Sequence, residues 1–310
     1  MKPIPINGIR LGPGLIWTGQ DAARTSPFFS VCQALSIQRI NLVCAGLHRQ
    51  EGHDVFSGCV ESRYLQVLDQ LAQEDATVLP PAEVTQISVY PHRRRLAVPA
   101  VVMEMLESAD IPWYHLVSSP AVMCVIIDAR FQDRVIALLE TFFDLPGSHT
   151  PYFQEIDQDI SALLKKYPET RSTYVEEKIK TYGIQLHPGV SMVEFRGPSD
   201  RFSQTRHRLT ADGGSDAMFH LVSVMRISGR MVDAVFVMDS GGTERVDLIT
   251  FHGPHFGDRY RILQTALNCL ETERAPLRAA ACAGASISLV FPAGAGEAAQ
   301  TALAKGFEAP

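Results

Sequence analysis

The sequence predicts an α+β fold assembled from tandem copies of one small unit, about four of them in two pairs joined by a helical connector. Three observations predict it. Hydrophobic periods follow a fixed order between Val84 and Phe143, that order returns between Ile9 and Val78, and a strand-end signature occurs twice in the second half, at Phe195 and at Phe251. The 310 residues, 46% of them hydrophobic, are ample for buried cores.

The stretch from Val84 to Phe143 sets the pattern. Thr85 to Tyr90 alternates, with Ile87 and Val89 on one face, which predicts a half-buried strand. A basic loop, Pro91 to Arg95, follows. From Pro99 the apolar spacing Val102, Met105, Leu106, Ala109 predicts a helix with proline in its first turn. Trp113 to Ser118 and Val122 to Ile127 are extended, separated by the turn signal Ser119-Pro120-Ala121. After Asp128, the residues Phe131, Val135, Leu138, Leu139 and Phe142 give a second amphipathic helix. The order βαββα lacks only a closing strand to make the ferredoxin-like βαββαβ unit. This stretch, with its proline-led helix and the run IPWYHLVSSPAVMCVIID from Ile111 to Asp128, resembles the ACT domains of aspartokinases over about sixty residues. There, a hydrophobic helix is followed by two strands that end in an acidic residue.

The region Ile9 to Val78 has the same plan. Leu15-Ile16-Trp17 is the first strand, Pro27 to Leu35 the helix, Asn41 to Gly46 the second strand, and Asp54 to Val60 the third, closed by Glu61. A polar hairpin is expected between Leu47 and His53. Leu65, Val67, Leu68 and Leu71 line the second helix. LSIQRI (35–40) stands where the other copy has LESADI (106–111), so both helices leave for the next strand over the same length. Pro27 and Pro99 are 72 residues apart and Glu61 and Asp128 are 67 apart, a period that means two copies of one domain.

Past Pro146 the composition shifts. A turn-rich linker leads into helical faces at Ile156, Ile160, Leu163 and Leu164 and at Val175 and Ile179. Then Met192 to Phe195 and Leu248 to Phe251 each run into Gly-Pro and, shortly after, Asp-Arg-aromatic: Asp200-Arg201-Phe202 and Asp258-Arg259-Tyr260. Helices are expected over 201–210 and 258–270. Strands are expected over 219–226 and 232–238 in the third copy and over 277–282 and 286–291 in the fourth, with a last helix over 296–305. His220-Leu-Val-Ser223 echoes His115-Leu-Val-Ser118. Only Ser240 to Arg245 separates the third copy from the fourth, which leaves no room for its second helix; the preceding insert would fill that place in a permuted arrangement. The expected division is 8–80, 81–147, a helical connector 148–182, a divergent 183–245, and 246–310.

A net charge of −6 argues against general affinity for nucleic acid or acidic membranes, which need a basic face. No run of 18 apolar residues is present, and the proline-interrupted first 15 residues do not make a signal-peptide core. The six cysteines form no CxxC pair and read as small core residues of a cytoplasmic, reducing environment. His48 and His53 around Glu51, and His252 with His255, come with no cysteine or second carboxylate at the usual ligand spacing for a metal. Asp239-Ser240-Gly241-Gly242 lacks the frame of a nucleophile elbow. No cofactor is expected.

The resemblance implies the regulatory part of an aspartokinase without the kinase. The Gly-Pro-Gly at 12–14 has neither the lysine nor the helix of a phosphate cradle. It further implies a small-molecule ligand, an amino acid first of all, a partner enzyme of amino-acid biosynthesis and a homodimer. In the family, ligand sits between the loop after one unit's first strand and its partner's second strand. The matching positions are Gln20, Asp21 and Ser26 in the first loop, His92, Arg93, Arg94, Arg95 and Val98 in the second, and Asn41, Tyr114 and Ser118 on or beside the second strands. Asp200, Arg201, Asp258 and Arg259 hold the corresponding helix starts. The three arginines suit a ligand with an extra negative charge, or a carboxylate held bidentately by guanidinium, or are a solvated cationic loop; the two aspartates bind ligand, cap helices, or both. An amino-acid-binding regulator, a ligand-free oligomerisation module and an enzyme of unrecognised chemistry all stay open on the residues alone.

Overall fold

The structure is a computed structural model and describes residues 4–23, 30–50, 52–90, 92–146, 178–213, 217–227, 231–253 and 260–308. The chain starts with a short β1 (Ile4–Pro5) and continues through four stretches of similar plan. The first holds β2 (Gly8–Ala23), α1 (Ser30–Ile37), β3 (Cys44–Gln50), β4 (His53–Glu61) and α2 (Leu65–Glu74). The second holds β5 (Ala82–Tyr90), α3 (Ala97–Ser108), β6 (Trp113–Ser118), β7 (Met123–Asp128), α4 (Gln132–Phe142) and the two-residue β8 (Phe143–Asp144). After β9 (Ile179–Lys180), the third holds β10 (Ile184–Pro198), α5 (Ser199–Gly213), β11 (Phe219–Arg226) and β12 (Met231–Met238). The fourth holds β13 (Glu244–His252), α6 (Ile262–Thr272), β14 (Ala279–Ala283), β15 (Ser286–Pro292), α7 (Gly296–Leu303) and β16 (Phe307–Glu308).

Twelve of these strands close into one antiparallel barrel, ordered β10-β12-β11-β6-β7-β5-β2-β4-β3-β14-β15-β13 and back to β10. Each stretch supplies one quarter of the wall, three neighbouring strands that stand first, third, second in chain order. Quarters meet in two ways. First strands pair with first strands, β2 with β5 and β10 with β13. Second strands pair with second strands, β6 with β11 and β3 with β14.

The alternation along each wall strand feeds two layers. Inward residues such as Trp17, Val84, Val117, Leu221, Val237 and Leu248 make one central core. Outward residues are covered by helices: α3, α4 and α5 over the second and third quarters, and α1, α2, α6 and α7 over the first and fourth. Opposite walls meet at the centre. A Cβ on Gly46 would lie 2.6 Å from the His115 ring, so only glycine there admits the histidine from the second quarter.

Helix exits repeat as the LSIQRI and LESADI comparison predicts. Arg39, Asp110 and Arg274 all take the left-handed conformation, with φ of 58°, 50° and 54°. The next residue's N–H reaches back to the helix in each case: Ile40 to Leu35 O at 2.8 Å, Ile111 to Leu106 O at 2.9 Å, Ala275 to Leu270 O at 2.8 Å. These bonds satisfy carbonyls the helix end would orphan and turn the chain into the second strand. The strand-closing acids are also local devices. Asp128 accepts the Arg130 N–H at 3.0 Å, and Glu61 pairs with Arg63 at 2.8 Å.

Several expectations are corrected. The first strand is 16 residues long rather than Leu15 to Trp17; a bulge between Gly12 and Leu15 and the buried polar Thr18 and Gln20 disguise its period. Leu47 to Gln50 continues β3, and Gln50 pairs with His53. The closing strand Phe143–Asp144 pairs in parallel with Ile4–Pro5 and leaves the edge of β5 to β2, so the second stretch does not form a four-stranded sheet of its own. β9 and β16 pair in the same parallel way in the second half. α5 starts at Ser199, which puts Asp200 in its first turn rather than at a cap, and α6 starts at Ile262. β12 passes to β13 through 239–243 with no second helix. Most of the connector expected over 148–182, namely 148–177, lies outside the described residues, and so does its suggested place in the third quarter.

Candidate functional site

The two seams between second strands are where a loop after one quarter's first strand can reach another quarter's second strand. At the seam of the second and third quarters, that loop is sewn down. Leu96 N–H donates to Ala217 O and Phe219 N–H to Arg94 O, both at 2.8 Å. His92 is buried, stacks on Phe219 at 4.9 Å, and donates through Nε2 to Ser119 O at 2.8 Å. Its Nδ1 accepts the Arg94 N–H at 3.0 Å, which fixes the neutral tautomer. Burial pushes its pKa below the ordinary histidine value, and the Arg94 charge adds to that.

The expected ligand groups of this seam are thus gathered but already engaged. Arg94 Nε donates to Phe219 O at 2.9 Å, and its Nη2 lies 3.1 Å from His220 Nδ1. His220 in turn lies 2.6 Å from Asp239 Oδ1. Arg93 is exposed, Arg95 bridges to Met218, and Val98 is wholly buried in the helical layer. Ser118 Oγ accepts the Val222 N–H at 2.7 Å and donates to Val222 O at 3.2 Å. Tyr114 packs on Trp17 at 4.9 Å; burial, then the Asp128 charge, raises its pKa. Asp200 and Arg201 are exposed on α5, where a first-turn carboxylate complements the helix dipole.

The seam of the first and fourth quarters is open. A cleft of about 520 Å³, counted with its solvent mouth, lies between the approach to β3 (Asn41, Leu42, Val43) and the start of α6 (Arg261 to Gln264). α1 contributes Cys32, Leu35 and Ser36, and the β14–β15 hairpin contributes Cys282, Ser286 and Ile287. The first-turn N–H groups of α6 have no acceptor within the helix and stand at this wall, the end where the helix dipole is positive. Arg261, just before the helix, holds φ 71° and has no side-chain capping bond. Of the residues expected at a site, Asn41 lies here; Ser26, Asp258 and Arg259 lie outside the described residues. Gln20 and Asp21 are elsewhere. Gln20 Nε2 donates to Thr77 Oγ1 at 2.9 Å, and Asp21 pairs with Arg196 at 3.0 Å.

A third constellation lies at the barrel centre. His48 Nδ1 is 2.5 Å from Asp233 Oδ1, and His48 Nε2 is 2.9 Å from Ser223 Oγ. All three residues are fully buried. His115 Nε2 lies 3.2 Å from the same Ser223 hydroxyl, Gln50 donates to Asp233 Oδ1 at 3.2 Å, and Arg196 donates to Asp233 Oδ2 at 3.1 Å. One proton order satisfies this chain: His115 Nε2–H to Ser223, Ser223 O–H to His48 Nε2, and His48 Nδ1–H to Asp233 Oδ1. His115 Nδ1 then carries no proton, consistent with its lacking a partner. Burial, and secondarily His48, pushes the His115 pKa to about 3, so this ring stays neutral. The order of serine, histidine and aspartate is that of a hydrolase triad, but it is sealed, and its geometry staples three quarters together. The repeated His-Leu-Val-Ser was its one trace in the sequence, since it marks the two strands, β6 and β11, that pair.

Among the described residues no group of three or more His, Cys, Asp or Glu side chains is placed to hold a metal ion, and no helix is long and apolar enough to cross a membrane. All six cysteines are free, with Cys32, Cys44, Cys59 and Cys124 buried.

The fold has solved counterparts. The crystal structure of aspartate kinase from Synechocystis matches 99% of this chain at a TM-score of 0.72 and 12% identity. The match takes in 56% of that kinase, so this chain spans about half its length. Regulatory subunits of aspartate kinase from Thermus thermophilus and Thermus flavus each match 45% of this chain and 99% of their own, at 17% identity and TM-scores of 0.36 and 0.38. No protein-family model and no curated protein sequence matches. At the level of fold, the likeness over nearly the whole chain bears out the resemblance to aspartokinases carried by Val84 to Phe143.

Proposed function

We propose that this chain is a regulatory, ligand-binding protein in which each quarter is an ACT-type unit, divided at 8–80, 81–147, 183–245 and 246–310. It takes a small carboxylate metabolite, an amino acid first of all, at the seam of the first and fourth quarters. One observation carries the reading: the open cleft lies where the approach to one quarter's second strand faces the helix start of another. A ligand there contacts two quarters at once, so it stabilises one arrangement of the seam over others, which is what regulation requires. The conformational change would pass to an enzyme of amino-acid metabolism, with the chain working as a homodimer.

The ligand-free reading, a purely structural module, is favoured at the other seam, where Arg94, His92 and Ser118 spend their polar atoms on protein. The two readings separate in a thermal-shift screen of the purified chain against the twenty amino acids and a panel of anionic metabolites. A ligand at 100 times its dissociation constant adds about 2.7 kcal/mol of stability. Silence across the panel contradicts the proposal and supports the scaffold; turnover of ATP and aspartate in the same samples supports an enzyme instead.

A further inference from the structure

The cleft's chemistry narrows its ligand, an inference that rests on the regulatory reading of the same site. Among the described lining residues Arg261 carries the only charge, and it stands exposed at the rim beside the α6 start. The floor is apolar: Leu35, Ile262 and Ile287, with Cys32 and Cys282. Both thiols stay uncharged at neutral pH, because burial pushes Cys32 well up and Cys282 up to about 12. A carboxylate therefore has one place to go, the helix start and guanidinium. A second charge on the ligand's side chain would enter the floor unpaired and stripped of water, which disfavours it.

We propose that the cleft selects a short, branched aliphatic carboxylate of the leucine, isoleucine or valine type, and rejects basic and dicarboxylic amino acids. The space open to the centre of a water-sized sphere is only about 40 Å³, which restricts the apolar part to a short side chain. Asn41, Ser36 and Ser286 stand around the apolar floor and can orient the ligand's polar end.

The test is isothermal titration of the full chain with leucine, its 2-oxo analogue 4-methyl-2-oxopentanoate, lysine and aspartate, repeated on Arg261→Gln, Ser286→Phe and Leu42→Glu. Leucine or its 2-oxo analogue should bind at least 100-fold more tightly than lysine or aspartate, the analogue showing whether an ammonium is needed. Arg261→Gln should weaken that binding about tenfold while leaving the ligand-free melting temperature unchanged. Ser286→Phe, which fills the cleft, should abolish it, and Leu42→Glu, on a half-buried loop position, repeats the test should the first variant fold poorly. Lysine or aspartate binding as tightly as leucine, and lost on filling the cleft, overturns the selectivity but leaves the regulatory reading standing. Leucine binding untouched by both cleft variants overturns the site. No binding by any of the four overturns the selectivity, and the regulatory reading itself falls only if the wider panel is silent too.

Discussion

The residues of greatest energetic consequence are those of the buried chain from His115 to Asp233. Removing one partner of a buried ion-paired network leaves the other uncompensated, which costs about 3 to 5 kcal/mol. His48→Ala and Asp233→Ala should each lower stability by that amount in urea unfolding, and the double variant should cost much less than the sum, because both changes break the same bond. The pH dependence follows from His115. Its folded-state pKa of about 3 lies below the unfolded value near 6.5, so below pH 6.5 the unfolded chain takes up the proton first. Stability is therefore full above pH 6.5 and falls toward pH 3, by about 1.4 kcal/mol per pH unit for this one group. His92, His187 and His220, whose pKa values are also lowered, chiefly by burial, act in the same direction. His115→Asn should flatten the acid limb of a stability-versus-pH profile; an unchanged slope would mean that His115 is not the group being titrated. At Phe251, fully buried against Phe307, truncation to alanine should cost about 3 to 5 kcal/mol, whereas half-buried Phe195 should cost less, although the sequence reads the two as equivalent.

At the scale of elements, the helix exits show what a local pattern can and cannot say. The equal spacing of LSIQRI and LESADI correctly placed two turns, but nothing in Arg39, Asp110 or Arg274 announces a left-handed residue, since glycine is the usual choice. Because these side chains are exposed, Arg274→Gly should relieve backbone strain without losing packing and raise stability by about 1 kcal/mol, read as a higher urea midpoint. β6 and β7 were legible almost to the residue, because Ser119-Pro120-Ala121 marks their turn and both strands are rich in β-branched, aromatic and other apolar residues. β2 was legible only in its middle. Its first half crosses a Gly-Pro-Gly bulge, and its second half carries Thr18, Gln20 and Asp21 inward or to the rim, so hydrophobic alternation vanishes where the strand in fact continues.

For the whole molecule, the plan of repeated strand and helix stretches could be read from the chain, but the closure could not. Edge pairing of β6 with β11 and of β3 with β14 joins segments more than 100 and 200 residues apart, and no local period records which edges meet. The central network was hidden for the same reason: His48 and Asp233 are 185 residues apart, His48 falls in a stretch that reads as a polar hairpin, and Asp233 reads as an isolated polar residue in an apolar strand. The candidate site was half legible. The rule of loop against second strand points to the two seams, and Asn41 lies in the cleft at one of them, yet the arginine cluster that looked most suited to a carboxylate is the part that the fold uses to close the other. Hydrogen exchange of the full chain with and without saturating leucine tests the central claim most directly. Protection confined to Asn41–Val43 and Arg261–Gln264 is the predicted result; no protection at those two segments, or protection at 92–96 and 217–220 instead, would contradict it.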